Sequence, residues 1–165
     1  MIYSKKLTIS NFKKYGEVIT LNNSKNKLSI NKGWTDRYNK ISEYYSSDNS
    51  MPIYSIFRGY KRPQPLKIDM LEMHPLSSQA FFPITKGNWL IVVCETINNM
   101  PNIDKIECFY ADQSIGINYF PSVWHHPLIV LNDVQDFVVI DRDGENDKNY
   151  ENTVETEFDK MIISY

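Results

Sequence analysis

From Ile53 onward, apolar, aromatic and β-branched residues gather in runs of four to eight, separated by clusters of turn formers, and no long stretch shows a helical repeat. This pattern predicts an all-β chain. The candidate strands are IYSIFRG (53–59), PLKIDMLEM (65–73), QAFFPI (79–84), WLIVVCE (89–95), IECFYA (106–111), GINYF (116–120), LIVLN (128–132) and DFVVIDR (136–142). KRPQP, TKGN, NNMPN, ADQS and NDVQ punctuate them. So many short strands with tight turns suit a jelly roll or small barrel, in which closure or double-sheet packing removes exposed edges. Ahead of them, Trp34, Tyr38, Ile41 and Tyr45 recur at three- and four-residue intervals, with Thr35 or Asp36 available as a cap, so a short helix is expected there. The polar tail from residue 143 predicts at most a second short helix or an edge strand in MIISY. Nothing repeats at solenoid spacing and no linker stands out, so residues 1–165 are expected to form one domain with its core over about 12–142.

Charge and composition narrow the partners. The chain has 165 residues, with 18 Lys and Arg against 20 Asp and Glu, so no basic stripe is available to follow a phosphate backbone. Nucleic acid is not an expected partner. The start MIYSKKLTISNF lacks the apolar stretch of a signal peptide, and no run of about 18 apolar residues occurs. A cytoplasmic protein with no membrane partner is the expectation. Cys94 and Cys108 lie in apolar runs without staple or metal-knuckle spacing and read as core thiols.

Two stretches carry candidate chemistry. In LEMHPLSSQAFFP, strand periodicity puts Glu72 and His74 on one face and Met73 on the other; Pro75 breaks the strand, after which Gln79 and Phe81 share a face. Some fifty residues later, VWHHP offers His125 and His126, whose rings the same periodicity sends to opposite faces, so one of the two can look inward. Converging in a barrel, Glu72, His74, Gln79 and one of these histidines would suit a divalent ion of the nickel, zinc or manganese type. Spacing alone also permits the commoner case, in which Glu72 is an exposed strand residue, His74 bonds a carbonyl and Gln79 caps a turn. Arg58 and Arg142 interrupt apolar strands and can face a site or reach solvent from an edge.

The segments YGEVI (15–19), INKGWTDRY (30–38), FRGYKRPQPLKIDMLEMHPLSSQAFFPI (57–84) and GINYFPSVWHHPLIVLNDVQDFVVIDR (116–142) resemble, in order, the ureidoglycolate lyases. The resemblance runs from about Phe12 to Arg142. It implies a cupin-type double-stranded β-helix, a homodimer, a divalent metal that is nickel in some members, and cleavage of (S)-ureidoglycolate to glyoxylate and urea in allantoin catabolism. It puts Glu72 where a generic cupin has its first histidine, followed by His74, Gln79 in the usual Glu position, and His125 after SVW where a cupin carries GVW. Family members commonly have Arg and Gly where this chain has Met73 and Ser77.

On that resemblance, His74, Gln79 and His125 form the metal-binding set, with Glu72 either a fourth ligand or the proton-transfer group. Glu72, His74 and His125 are the expected catalytic residues. Arg37 and Arg58 are expected to grip the small anionic substrate, because a planar guanidinium makes two parallel hydrogen bonds to a carboxylate. Asn31, Tyr119 and Trp124 are expected to shape the pocket. Two other readings stay open: a cupin that only binds a small acid, and one that acts on a different α-hydroxy or α-keto acid, the latter motivated by Met73.

Overall fold

A computed structural model describes residues 1–144 and 153–165. In chain order the elements are β1 (Ile2–Lys6), α1 (Ile9–Phe12), β2 (Gly16–Ile19), β3 (Asn26–Ile30), β4 (Thr35–Asn39), β5 (Pro52–Tyr60), β6 (Lys67–Met73) and β7 (Gln79–Pro83). There follow β8 (Trp89–Cys94), β9 (Thr96–Ile97), β10 (Met100–Pro101), β11 (Glu107–Ala111) and β12 (Gly116–Tyr119). The last four are β13 (Trp124–His125), β14 (Ile129–Val130), β15 (Val134–Arg142) and β16 (Val154–Ser164). The all-β expectation holds, and each of the eight anticipated strands is present, though LIVLN contributes only the two residues of β14.

One sheet has the order β2-β12-β7-β15-β5. In the other, β1 pairs with both β11 and β16, β11 with β8, β8 with β13, β13 with β6 and β6 with β16, so these six strands close on themselves. Two cores result. Phe12, Phe81, Trp89, Val93, Phe109, Phe137 and Val139 fill the space between the five-stranded sheet and the ring, with Trp89 and Phe137 at 5.0 Å between ring centroids. Leu66, Leu71, Leu90, Val92, Cys94, Cys108, Trp124 and Ile163 fill the ring itself. The strand shared by both cores, β8, is WLIVVC with every residue buried: a strand covered on both faces needs apolar side chains throughout and loses its polar alternation. Burial pushes the Cys94 thiol up to about 11 and the Cys108 thiol up to about 12, as befits core thiols. Gly59 lets β5 approach β14, because a Cβ there would stand 2.7 Å from Val130 Cγ1.

The helix expected over Trp34–Tyr45 is absent. Asn31, Lys32 and Gly33 all take positive φ (54°, 58° and 90°), which folds the chain into a tight turn, and β4 then pairs back along β3 from Ile30↔Thr35 to Asn26↔Asn39. A helix at this point would need to bury its aromatic stripe along one face, whereas Trp34, the first of that stripe, is 90% exposed. The α-helical content near the start is instead the turn α1, capped by Thr8, whose side chain accepts from the Asn11 amide, with short 3-10 turns at Leu21–Asn23 and Asn31–Gly33. The tail gives β16, an eleven-residue strand of the ring, while its residues 145–152 lie outside the described ones. Among the described residues no helix is long and apolar enough to cross a membrane.

Candidate active site

Strand pairing builds the site from two distant stretches. His125 on β13 lies directly opposite Glu72 on β6, so both side chains leave the same face of the ring, toward the five-stranded sheet. Trp124 points the other way, into the ring. His74 follows just beyond β6, with its ring centroid 5.3 Å from that of His125. Donor atoms of Glu72, His74 and His125 all fall within 4.8 Å of one another. From the facing sheet, Tyr119 on β12 stacks on His125 at 4.2 Å and 17°, and Gln79 on β7 is the cross-strand partner of Tyr119. Glu72 and Gln79 also line an open cavity of about 410 Å³.

Hydrogen bonds set the imidazoles. His125 is 2% exposed and its Nδ1 donates to the Val123 carbonyl at 2.8 Å, which leaves a lone pair on Nε2, 3.6 Å from Glu72 Oε1. Nothing among the described residues hydrogen-bonds that Nε2. Burial, and then the neighbouring His74, holds His125 neutral down to about pH 3, while burial, and then Glu155, pushes the Glu72 carboxyl up to about 7. The close approach of the two is therefore not an ion pair near neutrality. His74 Nδ1 lies 3.2 Å from Thr153 Oγ1. His126 faces away from the cluster; its Nδ1 donates to the Pro127 carbonyl at 2.7 Å and its Nε2 accepts from Arg62 at 3.4 Å.

The site thus brings together Glu72, His74, Gln79, Tyr119 and His125. It does not bring in Trp124, for the reason of strand parity. Arg58 also points outward: on the outer face of the five-stranded sheet it makes a two-pronged ion pair with Asp136, at 2.8 and 3.0 Å. Asn31 and Arg37 sit exposed on the β3–β4 hairpin, which pairs with no other strand, and Asn31 donates there to Thr35 Oγ1. Arg142 holds Asp48 at 2.5 Å. Met73 packs against the core inside the ring, so its identity bears on packing. Ser77 is buried and bridges to Ser46.

Two residues of the site escape the sequence motifs. Arg62 lies in the turn KRPQP, where nothing in its spacing marks it, yet it lines the same cavity as Glu72 and Gln79. It donates weakly to the Leu128 carbonyl and to His126, pairs with no carboxylate among the described residues, and has its pKa lowered by burial. A desolvated guanidinium of this kind is an anion site in search of its anion. Asp141 is the second. Phe137, Val139 and Asp141 share one face of β15, and the first two are buried in the core, so an acid at the third position was a readable signal. Gln79 Nε2 donates to Asp141 Oδ2 at 3.4 Å, and burial raises the Asp141 carboxyl.

Comparison with known proteins gives a consistent match. The family model described as ureidoglycolate lyase matches residues 1–163. A curated relative named ureidoglycolate lyase from Rhizobium etli is 39% identical over 153 residues, covering 92% of this chain and 90% of the relative. One of the same name from Burkholderia mallei is 39% identical over 140 residues, or 84% and 81% of the two chains. Among solved structures, RmlC from Streptococcus suis gives a TM-score of 0.43 at 14% identity, covering 56% of this chain and 44% of that one.

Proposed function

The chain belongs to the ureidoglycolate lyase family and is an enzyme, and we propose that it cleaves (S)-ureidoglycolate to glyoxylate and urea at the Glu72–His74–His125 cluster. The observation that carries the reading is the convergence of these three side chains within 4.8 Å of one another, with Glu72 also on the wall of a cavity lined by Arg62, which pairs with no carboxylate among the described residues. The substrate is a carbinolamide, with a hydroxyl, a carboxylate and a urea nitrogen on one carbon. Its C–N bond breaks as the hydroxyl gives up its proton, the C–O bond becomes a carbonyl, and the departing nitrogen takes a proton. One group able to accept and return a proton near neutrality suffices for both transfers. Glu72 has that property, since burial brings its pKa to about 7.

The donor set also fits a divalent ion. Two ring nitrogens and a carboxylate lie within 4.8 Å of one another, and the buried Nε2 of His125 has no hydrogen-bond partner among the described residues. Nickel, zinc or manganese held by His74, His125 and Glu72 would make the substrate hydroxyl more acidic, as a Lewis acid and template. Glu72 is then ionised as a ligand, and the same carboxylate cannot also store the proton. In either case Arg62 grips the substrate carboxylate, Tyr119 holds the His125 ring flat, and the Val123 carbonyl keeps the His125 lone pair on Nε2.

We also read the protein as a cytoplasmic homodimer acting in allantoin breakdown. Tyr54, Ile56 and Phe82, exposed together on the outer face of the five-stranded sheet, support the contact between copies. Purified protein is expected to release glyoxylate and urea from racemic ureidoglycolate until half is consumed, and a chelator should suppress the reaction until nickel is restored. A folded, metal-loaded sample without turnover would overturn the assignment.

A further inference from the structure

Two acceptors at the inner end of the site are left without donors. Gln79 is 7% exposed, and with its amide nitrogen committed to Asp141 Oδ2, its Oε1 has no hydrogen-bond partner among the described residues; the same is true of Asp141 Oδ1. The two residues are neighbours by register. Val139 pairs with Phe81 and Ile140 with Ala80, so one further step sets Asp141 beside Gln79 on the inner face of the sheet. A buried acceptor with nothing to accept forfeits the hydrogen bond it had in water, and two side by side call for one molecule that donates twice.

The ureido group is such a donor. On the edge opposite its carbonyl, its N–H and NH₂ point two hydrogens the same way, a fork of the kind that a pair of acceptor oxygens receives. We infer that Gln79 Oε1 and Asp141 Oδ1 together accept the ureido N–H groups of the substrate and so select ureido acids over other α-hydroxy acids. Gln79 is thereby a specificity residue, a task different from the metal ligand its motif position suggested, and Asp141 is its partner. Arg62 takes the carboxylate on the wall of the cavity that Glu72 and Gln79 also line, which leaves the carbinol carbon to Glu72 and the histidines beside it. A site built around buried acceptors rejects an analogue that lacks the donors far more strongly than an apolar pocket rejects a change of shape.

This inference rests on the proposed reaction and is tested apart from it. Ureidoacetate keeps the carboxylate and the ureido donors and cannot be cleaved by this route; levulinate is its isostere with both nitrogens replaced by carbon. Calorimetric titration of the wild-type holoenzyme should find ureidoacetate tighter by about 10- to 100-fold, the range for hydrogen bonds to such acceptors. In Asp141→Asn, one lone acceptor becomes an amide that also turns the Gln79 oxygen away, so ureidoacetate should lose most of that advantage. Levulinate and glycolate should keep their affinities within about twofold. Equal wild-type affinities for ureidoacetate and levulinate would overturn the inference, and so would a uniform loss for all three acids in Asp141→Asn. The wild-type comparison stands even if the variant does not fold. Turnover of ureidoglycolate without this selectivity removes the inference alone; selectivity without turnover removes the reaction and leaves the fork.

Discussion

Two clusters of titratable side chains lie on this chain, and they are opposites. In one, Glu107 meets Lys5, Lys14 and the Tyr15 hydroxyl, and Lys14 also holds Glu95 at 2.6 Å. Burial would raise the Glu107 carboxyl, but these three donors outweigh it and bring it down to about 2. In the other, Glu72 faces the neutral imidazole of His125, and burial takes it up to about 7. Both clusters are dense in polar atoms. The difference is that the first is saturated and the second is starved, with His125 Nε2, Gln79 Oε1 and Asp141 Oδ1 lacking partners among the described residues. Density of charge marks a brace; unmet demand marks a place for a guest.

The comparison breaks most visibly at His125. His125→Ala should lower kcat/KM by about 10²- to 10⁴-fold while the protein remains folded, measured as glyoxylate release beside a urea melt. Arg62→Gln should raise KM by about 10- to 100-fold, the loss expected for a charge-assisted grip on a carboxylate, with a smaller change in kcat. In the saturated cluster the pattern reverses: Glu107→Gln should cost about 1–3 kcal/mol in urea denaturation and leave kcat/KM within a few-fold.

The two glutamates should also answer pH with opposite signs. Glu72 keeps its proton in the fold up to about pH 7 but loses it near 4.5 in the unfolded chain, so the fold binds more protons across that window. In chelated protein its contribution to stability therefore declines as pH rises from about 4.5 to 7, and Glu72→Gln should flatten that decline. Glu107 is stabilising above 4.5 and loses its contribution as pH falls toward 2, so Glu107→Gln should flatten the acid limb instead. Urea midpoints from pH 2 to 8 for the three proteins test both signs. The smallest effect belongs to Arg58→Ala, which removes an exposed pair with Asp136: the urea midpoint should scarcely move and turnover should change no more than about twofold.

Much of this was legible from residue order. Apolar, aromatic and β-branched runs between turn formers marked the eight strands, and strand parity made Glu72, His74 and one histidine of the WHH segment candidates for convergence, which the family resemblance then favoured. What could not be read was direction in three dimensions. Arg58 and Arg62 stand four residues apart with equal chemical promise and both border the cavity, but the Arg58 guanidinium is held by Asp136, whereas that of Arg62 meets no carboxylate among the described residues. Trp124 adjoins the site in sequence and is separated from it by the thickness of the ring. The hairpin at residues 26–39 was misread because aromatic spacing suggested a helix, whereas three successive left-handed residues decided the matter locally. Strand β1 escaped notice, and β16 was anticipated at most as an edge strand in MIISY, because each is mixed in polarity and gains its partners only when the ring closes.

The doublet of histidines at the end of β13 has a consequence for insertions and deletions. Only two residues long, this strand is held by β6 on one side and β8 on the other; its Trp124 serves the ring core, and His126 just beyond it meets Arg62. Losing a residue between Phe120 and Val123 would slide the segment by one place and deliver His126 to Glu72. An imidazole would still face Glu72, yet the ring would receive a histidine in the berth of its tryptophan, and Arg62 would drift without its mooring. The meeting of β6 and β13 would outlive the frame error, and recognition of the acid would not.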